Sequence, residues 1–213
     1  MLELNKDLDK YIRDHTSPED DLLKELVRTS HLKAMQPRMV SGHVQGKVLE
    51  MFSHMIRPKS ILEIGTFTGY SSLCLAKGLV ENGELHTIER NDEVAEIASK
   101  FIKKSKKALQ IHLHVGNAKA IIPTIPRSFD LAFIDGDKRE YLSYYHTVFD
   151  KVKNGGFILA DNVLWDGKII EPIKHNDLYT KELLEFNQFV QKDNRVENVL
   201  LPLRDGMMII RKL

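Results

Sequence analysis

Hydrophobic and polar positions follow one rhythm up to about residue 57 and another beyond it. In the first stretch apolar residues recur at helical spacing. Leu22, Leu23, Leu26 and Val27 follow Ser17-Pro18-Glu19-Asp20, which reads as an N-cap, a proline at the first helical position and acids in the first turn. Val44, Val48, Leu49, Phe52 and Met55 mark a further helix over 42–56, which stops before Pro58. From Lys59 onward short apolar runs alternate with helical segments. The pattern predicts strands at Ser60–Ile64, 84–88, Ile111–Val115, Phe129–Ile134 and 157–160. Helices are predicted at 70–79, 93–103, 118–122, 140–149 and 181–190, and two closing strands at 196–202 and 206–211. Such alternation implies a parallel sheet covered by helices on both faces. Only Leu203–Asp205 separates the closing strands, too short for a helical crossover, so they pair antiparallel. The expected fold is α/β: a doubly wound, mostly parallel seven-stranded sheet with an antiparallel C-terminal edge and N-terminal helices. Its organisation is a single domain over 1–213, with a helical segment (1–57) on an α/β core (58–213). Ligands of such sheets bind beyond the carboxyl ends of the strands.

Composition narrows the function. Thirty-one Lys and Arg against 30 Asp and Glu leave a formal charge of +1, which removes the electrostatic case for a general nucleic-acid binder. The lysine-rich run 100–107 then reads as a solvated helix end. At 42% hydrophobic residues the chain can bury a sizeable core. The apolar runs fall short of the roughly 20 residues of a membrane span, and Met1–Tyr11 mixes Leu with Asp, Glu and Lys, unlike a signal peptide. A single cysteine, Cys74, excludes an internal disulfide and a cysteine-based zinc site, and sits in an apolar helix as a core residue. The expectation is a cytoplasmic protein whose partner is a small molecule. His112 and His114 alternate with Ile111, Leu113 and Val115, and read as one partly covered strand face rather than metal ligands.

The first strand runs into Glu63-Ile64-Gly65-Thr66-Phe67-Thr68-Gly69-Tyr70-Ser71. Its glycines allow a tight turn and close approach to a ligand. A dinucleotide site would have Gly-x-Gly-x-x-Gly here, with pyrophosphate at the helix N-terminus. This loop has Gly-x-x-x-Gly, and Glu63 would repel a pyrophosphate but suits an amino-bearing ligand. Glu89, at the end of the second strand, is placed to take ribose hydroxyls. The two acids together fit S-adenosylmethionine (SAM) better than NAD. Asp135, in Ile134-Asp135-Gly136-Asp137-Lys138, and Asp161-Asn162 lie at neighbouring carboxyl ends. They supply hard oxygen donors, suited to Mg²⁺, Mn²⁺ or Ca²⁺ rather than Zn²⁺, unless Asp161-Asn162 merely caps a turn.

The Glu-Ile-Gly-x-Phe-Thr-Gly-Tyr-Ser stretch, Asp-x-Asp-Lys at 135–138, Asp-Asn-x-Leu-Trp at 161–165 and Leu201-Pro202-Leu203-Arg204-Asp205-Gly206 together resemble the cation-dependent class I O-methyltransferases, the family of catechol and caffeoyl-CoA O-methyltransferases and their small bacterial relatives. The resemblance implies that Glu63, Gly65, Thr66 and Ser71 hold the methionine part of SAM, and Ser41 contacts it through its backbone. It assigns Glu89 to the ribose, Ala118 to the adenine, and Asp135, beside the cofactor, with Asp161 and Asn162 to a divalent cation, Mg²⁺ foremost. Lys138 takes the role of the catalytic base, and a homodimer is implied. Trp165 and Asp166 are candidates for the substrate pocket, as are Arg38 and Met39 for its gate; Asp166 stands where many plant relatives have Asn. The expected reaction is methyl transfer from SAM to one hydroxyl of a vicinal diol. The bound cation and Lys138 promote ionisation of that hydroxyl, and near-attack positioning supplies most of the rate. The alternatives are an NAD-dependent reductase, opposed by Glu63 and the missing third glycine, and an RNA-modifying methyltransferase of the same fold, opposed by the neutral charge.

Overall fold

The computed structural model describes residues 5–213. Three helices come first: α1 (Lys6–Asp14), α2 (Asp21–Lys33) and α3 (His43–Ile56). The α/β alternation follows as β1 (Ser60–Ile64), α4 (Tyr70–Ala76), β2 (Glu84–Glu89), α5 (Asp92–Lys104), β3 (Ile111–Val115), α6 (Ala118–Ile121), β4 (Phe129–Ile134), α7 (Tyr141–Lys151) and β5 (Val152–Asp161). The chain ends its regular structure with α8 (Leu178–Lys192), β6 (Val196–Leu201) and β7 (Met207–Lys212).

All seven strands form one sheet in the order β3-β2-β1-β4-β5-β7-β6. The first five pair in parallel, while β7 runs antiparallel to both β5 and β6. This is the expected doubly wound architecture. Strand order reverses between β1 and β4, so the ends of β1, β2, β4 and β5 open onto one crevice. The central strand β1 is buried at every position, as a strand covered on both faces must be. One apolar layer joins Ile64, Ile88, Phe129, Tyr141, Tyr145, Phe186 and Ile210. The other joins Leu23, Leu26, Leu49, Leu75, Phe101 and Phe133, so the N-terminal helices help to cover this face.

Several boundaries differ from the sequence reading. The N-cap of α2 is Asp20, whose side chain accepts the Leu23 N–H at 2.9 Å, and 17–19 stay outside the helix. The Ser17-Pro18 signature was a sound cap pattern, but the carboxylate three residues on provides the better acceptor. Helix α4 ends at Ala76 rather than 79, β5 begins five residues before 157, and α8 begins at Leu178, capped by Asp177.

Candidate active site

Glu63 lies in β1, one residue before its end, and is fully buried. Its Oε2 accepts the hydroxyls of Ser72 and, at 2.6 Å, of Thr87. Its Oε1 has no hydrogen-bond partner among the described residues. Burial pushes the carboxyl up to about 7, against the pull of the Ser71, Ser72 and Thr87 hydroxyls. A buried acid with one oxygen unclaimed is unfavourable unless a donor, best a cationic one, arrives from the crevice.

The turn after β1 is held from three sides. The N–H groups of Gly65 and Thr66 reach the Ile88 carbonyl at 3.0 and 3.2 Å, and Thr66 and Thr87 hydroxyls meet at 2.5 Å. Asp135 N–H donates to the Ile64 carbonyl at 2.8 Å. Gly65 has φ +97°, and a Cβ there would stand 2.1 Å from the Asp135 carbonyl oxygen. Only glycine fits between the two turns. At the end of β2, Glu89 accepts the N–H of Phe67 at 2.7 Å and of Asn91 at 2.8 Å, one on each carboxylate oxygen. These bonds aim the carboxylate along the turn while lone pairs remain for a further donor. Ala118 opens α6 directly after the Asn117 cap and is buried.

Asp135 and Asp161 follow Ile134 and Ala160, which pair across β4 and β5. Asp161 is buried, its Oδ2 accepts Gln45 Nε2 at 2.5 Å, and its Oδ1 has no partner among the described residues. Burial, with the charge of Asp135 nearby, raises the Asp161 carboxyl; Lys138 and Gln45 pull the other way. Asn162 comes next in left-handed backbone, φ 59°. Lys138 is also buried, and its Nζ donates to Asp135 Oδ1 and to the Tyr141 hydroxyl, both at 2.7 Å. Tyr141 in turn donates to the Asp161 carbonyl at 2.8 Å. The two acids, the lysine and the phenol thus form one connected group. Two acids side by side, one with a buried oxygen unclaimed, fit a hard divalent cation in both donor type and net charge.

Gln45 and Tyr141 escaped the sequence reading, and Arg204 stood in it only as part of the 201–206 stretch, without a role. Arg204 donates to the Ser41 carbonyl and, at 2.6 Å, to Gln45 Oε1, so it fixes Ser41 and Gln45 together. The available signals were a lone amide on the apolar side of α3 and a tyrosine three residues after Lys138. Of the substrate-pocket candidates, Trp165 stacks on Tyr179 with ring centroids 5.8 Å apart, and the Tyr179 ring also carries the Arg139 guanidinium. Trp165 and Asp166 both adopt positive φ, and Asp166 N–H donates to Asp205 Oδ1. Arg38 and Met39 lie in a short 3-10 turn between α2 and α3, Met39 exposed.

The sequence profile of a family described as O-methyltransferase matches residues 13–213. Caffeoyl-CoA O-methyltransferase 2 of Petunia hybrida is 34% identical over 186 residues, spanning 82% of this chain and 77% of that protein. Caffeoyl-CoA O-methyltransferase of Medicago sativa is 32% identical over 92% of this chain and 83% of its own length. Among solved structures, an O-methyltransferase from Bacillus cereus in complex with SAH superimposes with a TM-score of 0.89 at 27% identity, covering 97% of each chain. The O-methyltransferase TomG of Streptomyces achromogenes, involved in tomaymycin synthesis and solved with SAM, gives 0.90 at 27% identity, covering 97% of this chain and 96% of its own.

Proposed function

This chain belongs to the O-methyltransferase family, and we propose that it transfers the methyl group of SAM to one hydroxyl of a vicinal diol on a small, catechol-like molecule, with a divalent cation bound at Asp135, Asp161 and Asn162. The observation that carries this reading is the pair of buried carboxylate oxygens without partners, Glu63 Oε1 and Asp161 Oδ1, at the ends of strands on the same crevice. One suits the ammonium of an amino acid, the other a hard cation. The relatives named caffeoyl-CoA O-methyltransferases support the acceptor class, since a caffeoyl group carries adjacent ring hydroxyls.

Bound at these residues, the cation, Mg²⁺ foremost, would supply a Lewis acid that favours the ionised acceptor hydroxyl, and SAM an electrophilic methyl group. Glu63 binds the ammonium of the methionine moiety, Gly65, Thr66 and Ser71 follow it in the turn and the start of α4, and Ser41, ahead of α3, adds a backbone contact. Glu89, already oriented by two N–H groups, takes the ribose hydroxyls, and Ala118 borders the adenine. Gln45 and Arg204 hold Asp161 and Ser41 in register. Lys138 Nζ, held by Asp135 Oδ1 and the Tyr141 hydroxyl, is placed to receive the acceptor's hydroxyl proton. The acceptor oxygen attacks the methyl carbon in line while the carbon–sulfur bond breaks, leaving a neutral thioether. Trp165 and Tyr179 offer an aromatic wall to the acceptor ring.

Methyl transfer from labelled SAM to catechol acceptors, with and without excess chelator, tests this reading. Activity is expected to depend on added Mg²⁺ and to vanish in Asp161→Ala, which keeps its affinity for SAH. Full turnover in excess chelator removes the cation from the reaction.

A further inference from the structure

A second cluster lies at the opposite ends of the strands. In the β2–β3 register His86 stands directly beside His112, and Glu84 precedes His86 by two residues, on the same sheet face. One donor atom from each of Glu84, His86 and His112 falls within 4.8 Å of the other two. His86 Nε2 is buried with no hydrogen-bond partner among the described residues, and it lies 3.5 Å from Glu84 Oε2. Two donors bound to one tetrahedral ion at about 2.1 Å stand about 3.4 Å apart, so this pair is already at ligand spacing. The other ring nitrogen, His86 Nδ1, meets His114 Nε2 at 3.1 Å. With Nδ1–H as donor, the lone pair of Nε2 points to the cluster, the arrangement by which an outer partner fixes the tautomer of a liganding histidine.

We propose that Glu84, His86 and His112 form a second metal site, for an imidazole-preferring transition ion of the Zn²⁺ class, with His114 orienting His86. Two imidazoles and a carboxylate fit Zn²⁺ and leave a fourth position for water; they do not fit Mg²⁺ or Ca²⁺, which take oxygen donors. Glu84 is about one-third exposed and gives access from solvent. Arg127 Nη2 lies 3.2 Å from each of the two Glu84 oxygens, so an ion on Oε2 would take that oxygen from the guanidinium and leave it Oε1. Glu89 lies three positions beyond His86 in β2, about 10 Å along a strand, so the ion lies away from the methyl-transfer crevice. Its role is structural: it clamps the edge strand β3 to β2 and stabilises the fold by mass action. Alternation along β3 alone reads as a covered face; His86 across from it supplies what the single strand lacks.

The test uses untagged protein stripped of metal, titrated with Zn²⁺ against a chromophoric chelator. One tight equivalent is expected, retained in Asp161→Ala and absent in His112→Gln. His114→Ala is expected to weaken it by about 10–100-fold. Co²⁺ is expected to give the visible bands of a four-coordinate ion in the wild type and in Asp161→Ala, and none in His112→Gln. Absence of stoichiometric Zn²⁺ uptake, or uptake unchanged in His112→Gln, overturns the site. Should His86→Gln or His112→Gln fail to fold, Glu84→Gln carries the same comparison, because its side chain is partly exposed. The Zn²⁺ titration and the methylation assay are separate readouts, so failure of either leaves the other standing.

Discussion

At the scale of single residues the site depends on charges held where water is scarce. Lys138 touches Asp135 and Tyr141 but nothing that would anchor an acceptor, so its contribution belongs to the proton-transfer step. Lys138→Met keeps the stem and is expected to lower kcat by about 10²–10⁴-fold with little change in KM, the loss shrinking at high pH. A raised KM with unchanged kcat in steady-state assays would make the lysine a substrate anchor. Glu63 gives a second expectation. Its folded-state value, about 7, lies above the ordinary 4.5, so the folded chain holds a proton that the unfolded chain has lost between those values. The stabilising share of the protonated form is complete below about pH 4.5 and disappears as pH rises through about 7, an upper bound on the order of 3 kcal/mol. Thermal melts of the ligand-free protein should therefore fall across this window, and Glu63→Gln should flatten the fall. SAH should restore more stability at pH 8 than at pH 5, since its ammonium needs the ionised acid. The acids, Lys138 and Ser41 were named from the sequence; the contacts that tie them together were not. Gln45 meets Asp161 across 116 residues and Arg204 meets Gln45 across 159, and no local pattern encodes such pairs.

At the scale of elements, turns rather than helices or strands set the geometry. Gly65 couples the turn after β1 to the turn after β4 by contact of backbone with backbone. Gly65→Ala is expected to cost about 1–3 kcal/mol from its positive φ alone, with the clash against Asp135 adding to it. SAH and cation affinity should fall together in this variant, whereas Asp161→Ala should affect the cation alone; calorimetry beside urea unfolding separates the two. The strands were the most readable elements, because apolar runs bounded by glycine and proline leave little else possible, and β1, β3 and β4 lie at the expected residues. Termini of helices were less readable. Asp20 and Asp177 cap α2 and α8 by accepting N–H groups that several nearby side chains were equally able to accept. The early part of β5 was missed because its exposed residues, Lys153, Asn154 and Gly155, show no apolar run, and because Val152 pairs with Phe129 ahead of a register shift that resumes the ladder only at Phe157.

At the scale of the whole molecule, the N-terminal helices show more apolar surface than a cover over one sheet face requires. Leu32, Met35 and Met55 are 74%, 92% and 70% exposed. We propose that exposed apolar residues of this N-terminal region form the contact of a homodimer. Light scattering at micromolar concentration should give the mass of two chains, and Met55→Glu should shift it toward one; a single-chain mass for the unmodified protein overturns the assignment. Sheet order has a different consequence, set by the timing of synthesis. Translation delivers β5 first, then α8 and β6, and β7 after all other strands, yet β7 lies between β5 and β6. Until residues 207–212 leave the ribosome, β5 therefore presents an open, apolar edge. A stalled nascent chain of this protein is a sticky one, a natural client for a chaperone, and it gains its protection from aggregation only in this late step.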